Sequence, residues 1–159
     1  MNRFAILFLI LSVAFYGCKR TAADVQGSGW PEWSLKFFGD GWNVLDADDA
    51  ELIKIAENNS HDVGIFVSGR PFPGNFADML ATAKSTMGPS NQSTVSQTKI
   101  NGEAAVELIG SFQKGGQAIN GWALMFLRDK KLMVVQGLYK DETGRKFLEP
   151  TMKSFRFTR

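Results

Sequence analysis

One histidine, one cysteine and sixteen carboxylates set the limits of the chemistry open to this chain of 159 residues. His61 is the only imidazole that could act as a general base. It sits in Asn58-Asn59-Ser60-His61-Asp62, a polar stretch with the composition of a solvated turn. No serine stands in a Gly-x-Ser-x-Gly elbow, so a nucleophilic triad has no local support. Asp40, Asp62 and Glu107 are the carboxylates a small hydrolase could use. Such an enzyme needs two of them facing one another in a cleft, and the sequence by itself pairs none. Asp46, Asp48, Asp49 and Glu51 are crowded enough to suggest calcium, which takes several oxygen ligands. They lack the EF-hand spacing and its glycine at the sharp turn, so a solvated acidic loop is the expectation. One cysteine and one histidine cannot build a zinc site of the Cys/His type. These residues predict no catalytic group, no metal and no cofactor.

Aromatic residues are the more informative group: 13 Phe, 4 Trp and 2 Tyr. Trp30, Trp33 and Trp42 crowd the entrance to the folded part of the chain. They either fill the core and close a sheet edge, or line an exposed apolar groove, since aromatic side chains are enriched at interfaces. On the second reading, Trp30 and Trp33 would contact a protein partner or an envelope component.

The elements that must position these residues begin after a targeting signal. Arg3 gives a positive start, and Phe4 through Tyr16 carry no charge. A membrane-spanning helix needs roughly 20 apolar residues, so this run suits the core of a signal peptide instead. Gly17-Cys18 follows, and the chain then turns polar. The only cysteine, preceded by a small residue at the end of such a core, resembles the lipobox of bacterial lipoproteins. That resemblance implies a signal peptide over 1–17 and diacylglycerol on the Cys18 sulfur. It also implies anchoring in the cell envelope, because two or more acyl chains hold a protein stably in a membrane. Lys19 is not the aspartate associated with inner-membrane retention, which implies the outer membrane, facing the periplasm, if the cell is Gram-negative. Residues 18–29 then read as the lipidated cysteine and a flexible tether, small, polar and glycine-rich at the end. Residues 30–159 read as one domain. The net charge of +2 has no basic run behind it, so a nucleic-acid partner has no electrostatic support.

Within the domain, Ser34 to Phe37 alternates polar and apolar, as a half-buried strand does, and Gly39-Asp40-Gly41 reads as a turn. Residues 46–59 fit two patterns. Asp49 could cap a short helix with Leu52, Ile55 and Ala56 on one face, or Glu51 to Glu57 could form a strand that turns at Asn58-Asn59-Ser60 into Val63 to Val67. The β-branched second segment favours the hairpin. A helix over Asn75–Met87 is capped by Asn75 and striped by Phe76, Met79, Leu80, Ala83 and Met87, and Gly88-Pro89 ends it. Asn101-Gly102 suits a two-residue hairpin turn between a polar strand and Ala104 to Phe112. Trp122 to Leu127 is apolar on both faces, which places it centrally. Asp129-Lys130-Lys131 turns into Leu132 to Tyr139. A last helix starts at Asp141 or Thr143, with Phe147 and Leu148 inward and Pro150 kinking or dividing it. Phe155 and Phe157 alternate in a short closing strand. The order predicts an α+β fold, an antiparallel sheet covered by helices.

Four segments carry a further resemblance: Leu35 to Trp42, Asn75 to Met87, Lys99 to Ala104 and Leu148 to Phe157. Together they resemble the PsbP-like, Mog1-like and DcrB-like domains. The resemblance covers most of Trp30 to Arg159 and implies an α/β/α sandwich around a central antiparallel sheet. It brings no shared catalytic residues. It implies a membrane-anchored, non-catalytic binding or assembly module with an envelope protein as partner. The alternatives are a small envelope hydrolase using carboxylates and a carrier of a small apolar ligand.

Overall fold

The computed structural model describes residues 20–21, 24–27, 31–46, 52–86, 93–114 and 117–158. Met1 to Lys19, Ala22-Ala23, Ser28 to Trp30, Ala47 to Glu51, Met87 to Gln92, Gly115-Gly116 and Arg159 lie outside them. The expected signal peptide, Cys18, Trp30, most of the acidic loop and the Gly88-Pro89 stop therefore fall outside the described residues.

Two-residue periodicity and tight turns build the main sheet. Its strands are β1 (Arg20–Thr21), β4 (Asn43–Asp46), β5 (Leu52–Asn58), β6 (Val63–Pro71), β7 (Thr94–Ile100), β8 (Glu103–Lys114), β9 (Gln117–Arg128) and β10 (Lys131–Tyr139). They are antiparallel in the order β1-β4-β5-β6-β10-β9-β8-β7. A second sheet joins β2 (Asp24–Gly27), β3 (Trp33–Lys36) and β11 (Arg156–Phe157) in the order β11-β3-β2. The strand reading of 51–57 holds from Leu52, the first of these residues that is described, and the hairpin with β6 forms as the β-branched segment suggested.

Both predicted hairpin turns in the second half use left-handed residues. Asn101 and Gly102 have φ of 51° and 88°, and Asp129 and Lys130 have 51° and 57°. Positive φ at both central residues matches the twist of the flanking strands. It is ordinary for Asn-Gly, less so for a lysine.

Helix α1 (Phe76–Thr86) starts in a reciprocal cap. The Asp78 N–H donates to Asn75 Oδ1 at 3.1 Å, and the Asn75 N–H donates to Asp78 Oδ2 at 2.8 Å. Its buried Met79 and Ala83 cluster with Val106, Leu108, Ala123, Met125, Leu132 and Val134. Helix α2 (Glu142–Lys153) is capped by Asp141, whose carboxylate accepts from the Gly144 N–H at 3.0 Å. Its Leu148 and Met152 join Trp122, Leu124, Phe126, Met133 and Val135. Side chains alternate faces along β9 and β10, so the two helices pack against opposite faces of the sheet.

Three expectations are corrected. Residues 18–29 are not simply a tether: Arg20–Thr21 pairs with β4 and Asp24–Gly27 pairs with β3. The first strand of the expected domain is not half-buried, because Trp33, Ser34 and Leu35 are all buried where β3 lies between β11 and β2. Pro150 does not divide α2, which runs through it to Lys153. The tertiary packing of Leu148 and Met152 on either side of Pro150 outweighs the one backbone bond a proline cannot make.

Candidate functional site

An aromatic cluster that continues the core toward the surface is built on the loop between β3 and β4. Gly39 and Gly41 have φ of 83° and 86°, in the left-handed region that glycine enters without penalty. Their turn folds Trp42 back so that its indole N–H donates to the Phe38 carbonyl at 2.9 Å. The Trp42 ring packs on Phe37 at 4.9 Å between centroids and stacks on Phe147 of α2 at 5.7 Å. On the far side of Phe147 lies His61, stacked at 3.8 Å and 14°. Four rings from three separate segments thus form one slab, running from the buried Trp42 to the exposed His61.

Asn58 locks the turn beneath this slab. It is fully buried, and its Nδ2 donates to the Asp40 carbonyl at 2.7 Å while its Oδ1 accepts from the Ser60 N–H at 3.2 Å. The other end of the loop is tied to α2. The Phe38 N–H donates to Thr151 Oγ1 at 3.1 Å, and the Ser154 hydroxyl accepts from the Lys36 N–H at 2.9 Å. Phe38 itself points outward. It is 39% exposed, the exposed large hydrophobic among the described residues, and the Lys36 ammonium lies 5.4 Å from its ring centroid.

The tryptophans named from the sequence are core residues where they are described. Trp33 and Trp42 are 1% and 2% exposed, so neither offers a face to a partner; bulk and shape drew them inward. Trp33 stacks on Phe155 at 6.0 Å, and its buried indole nitrogen has no hydrogen-bond partner among the described residues. The ring that does reach solvent, Phe38, was passed over in sequence. Its signal was weak: an apolar residue just outside the strand, where alternation no longer places it inside.

Glu107 is not paired with Asp62. Asp40 lies in the loop, Asp62 in the turn between β5 and β6, and Glu107 on β8. In the strand order β6-β10-β9-β8, Glu107 is three strands from β6, roughly 14 Å at 4.8 Å per strand. That exceeds the separation either class of glycosidase uses. Glu107 has another occupation. Its Oε1 accepts from the Trp122 indole at 2.9 Å and its Oε2 from the Ser96 hydroxyl at 3.3 Å, so one carboxylate ties together β7, β8 and β9. His61 makes its stack with Phe147 and, among the described residues, no side-chain hydrogen bond. No group of three or more His, Cys, Asp or Glu among the described residues is placed to hold a metal.

Two acids are displaced by their settings, and at Glu149 the hydrogen bond from Lys153 holds the carboxyl below its ordinary value. Burial raises the Tyr139 phenol above its ordinary value; Arg145 opposes this and Glu142 adds to it.

The geometry is that of a surface for contact: an exposed phenyl ring beside an ammonium, stiffened from behind by stacked rings and a buried asparagine. No family model matches the chain, and no curated protein matches its sequence. Solved structures do match its fold. The cyanobacterial PsbP protein CyanoP from Synechocystis sp. PCC 6803 is 13% identical, with a TM-score of 0.58 over 94% of this chain and 99% of that one. A Bacteroides thetaiotaomicron protein is 12% identical, with a TM-score of 0.60 over 91% of this chain and 50% of that one. LpqN, involved in cell envelope biogenesis of Mycobacterium tuberculosis, is 14% identical, with a TM-score of 0.57 over 86% of this chain and 91% of that one. The chain therefore has a PsbP-like fold, an antiparallel sheet with two helices.

Proposed function

We propose that the chain is an envelope lipoprotein, anchored through Cys18, whose α/β/α domain is a non-catalytic binding or assembly module. One observation carries the reading: the sole cysteine closes an apolar run, and the first strand begins two residues later at Arg20. A sole cysteine at the end of such a run is the residue that lipid anchoring uses, and the strand at Arg20 puts the folded part close behind it. The envelope role of LpqN, which shares the fold, supports the location. The separation of Glu107 from Asp62, and its use in tying β7, β8 and β9 together, supports binding over hydrolysis. The partner is an envelope protein, and the membrane is the outer one where the cell has two.

The intact mass of the protein extracted from membranes of an expressing bacterium tests this, beside a Cys18→Ser variant. The expected mass is that of the chain from Cys18 onward plus acyl groups, with both the addition and membrane retention lost in the variant. An unmodified chain, or equal fractionation of the two, would overturn the reading.

A further inference from the structure

We infer that the domain is seated on the lipid surface by one fixed side, formed by the β1–β4 edge and the Phe38–Lys36 pair, and does not swing on a tether. The inference rests on anchoring at Cys18 as proposed above. It names the lipid bilayer as what Phe38 touches.

The first argument is chain length. Arg20 and Thr21 pair with Val44 and Asn43, and Asp24 pairs with Lys36. Cys18 is two residues from Arg20, so at about 3.3 Å per extended residue the anchor lies within roughly 7 Å of the sheet edge. It is six residues from Asp24, which keeps it within roughly 20 Å of the Lys36 backbone. An unpaired, glycine-rich tether would let every face of the domain visit the membrane. Pairing on both sheets removes that freedom.

The second argument is the chemistry of the surface within this reach. A phenyl ring beside an ammonium suits the boundary between acyl chains and headgroups, the ring inward and the cation at the phosphates. Phe38 and Lys36 are such a pair, both exposed. Asp40, exposed in the same loop, tempers attraction to anionic lipid, which leaves the ring as the main contact. The opposite edge of the sheet, β7, presents exposed Thr94, Ser96, Gln97 and Lys99 and lies seven strand spacings away, roughly 34 Å.

The test supplies the anchor chemically. The chain from Cys18 onward, which keeps every described element, is coupled through its thiol to a maleimide lipid. The nanodiscs are phosphatidylethanolamine and phosphatidylglycerol with a nitroxide on some headgroups, and amide signals are read for paramagnetic attenuation. Strong attenuation over residues 36–41 and 43–45, with 94–99 spared, is the expected result. Phe38→Ser should reduce attenuation at 36–41 several-fold while leaving other shifts in place. Equal attenuation at both edges would overturn the seating, as would sparing of 36–41, which would give Phe38 to a protein partner. Because coupling replaces acylation, this outcome is independent of the intact-mass result that tests Cys18 itself.

Discussion

The Phe147 ring occupies the space that a side chain at Gly39 would need: a Cβ built there comes within 2.7 Å of the ring. Gly39 also has φ of 83°, so two separate costs meet at one residue. Gly102 separates them, since it has φ of 88° with nothing within 4 Å. Gly102→Ala should lose about 1 kcal/mol from backbone strain alone, and Gly39→Ala roughly 2–3 kcal/mol, because the ring stack must also shift. Urea midpoints of the two variants check this. Equal losses would mean that Phe147 moves aside freely.

Asn58→Leu keeps the volume but removes both hydrogen bonds, leaving the Asp40 carbonyl and the Ser60 N–H without partners. The expected loss is about 2–3 kcal/mol. The same variant should loosen the loop that carries Phe38, seen as faster amide exchange over residues 38–42. A large stability loss with unchanged exchange there would separate Asn58 from the loop.

Glu107→Ala strands the buried Trp122 indole and should cost about 1–3 kcal/mol. Glu107→Gln keeps an acceptor for Trp122 and should cost less. Were Glu107 poised for chemistry instead, its replacement would leave stability unmoved, so denaturant unfolding of both variants decides between the two roles.

Tyr139 is the only tyrosine from Cys18 onward, so its ionisation can be followed by ultraviolet absorbance. Its phenol is raised in the folded chain, first by burial, so the folded state holds its proton at pH values where the unfolded chain has lost it. Stability should therefore be unaffected below the ordinary phenol pKa near 10 and fall as pH rises above it. Titration of the native chain should lag behind that of the urea-unfolded chain. Coincident curves would show that the ring is open to water.

The Asn75–Asp78 cap should lose about 1 kcal/mol in Asn75→Ala, and the double variant with Asp78→Ala should lose less than the two single losses added together. Strict additivity would mean that the two bonds act independently.

The α+β class, the helix from Asn75, the hairpin turn at Asn101-Gly102 and the central strand Trp122–Leu127 were legible in the sequence. Each rests on a pattern shorter than twenty residues: a period, a cap or a turn dipeptide. Tertiary structure decided the rest, because it depends on residues far apart in the chain. Trp33 and Trp42 went inward once β11 and α2 closed over them, which composition cannot tell from an exposed groove. Within the expected tether, Arg20–Thr21 and Asp24–Gly27 form strands because β3 and β4 offer edges to pair with. Pro150 stayed helical because α2 is packed along both sides of it. The slab of Phe37, Trp42, Phe147 and His61 joins segments more than a hundred residues apart, and no local pattern encodes that meeting.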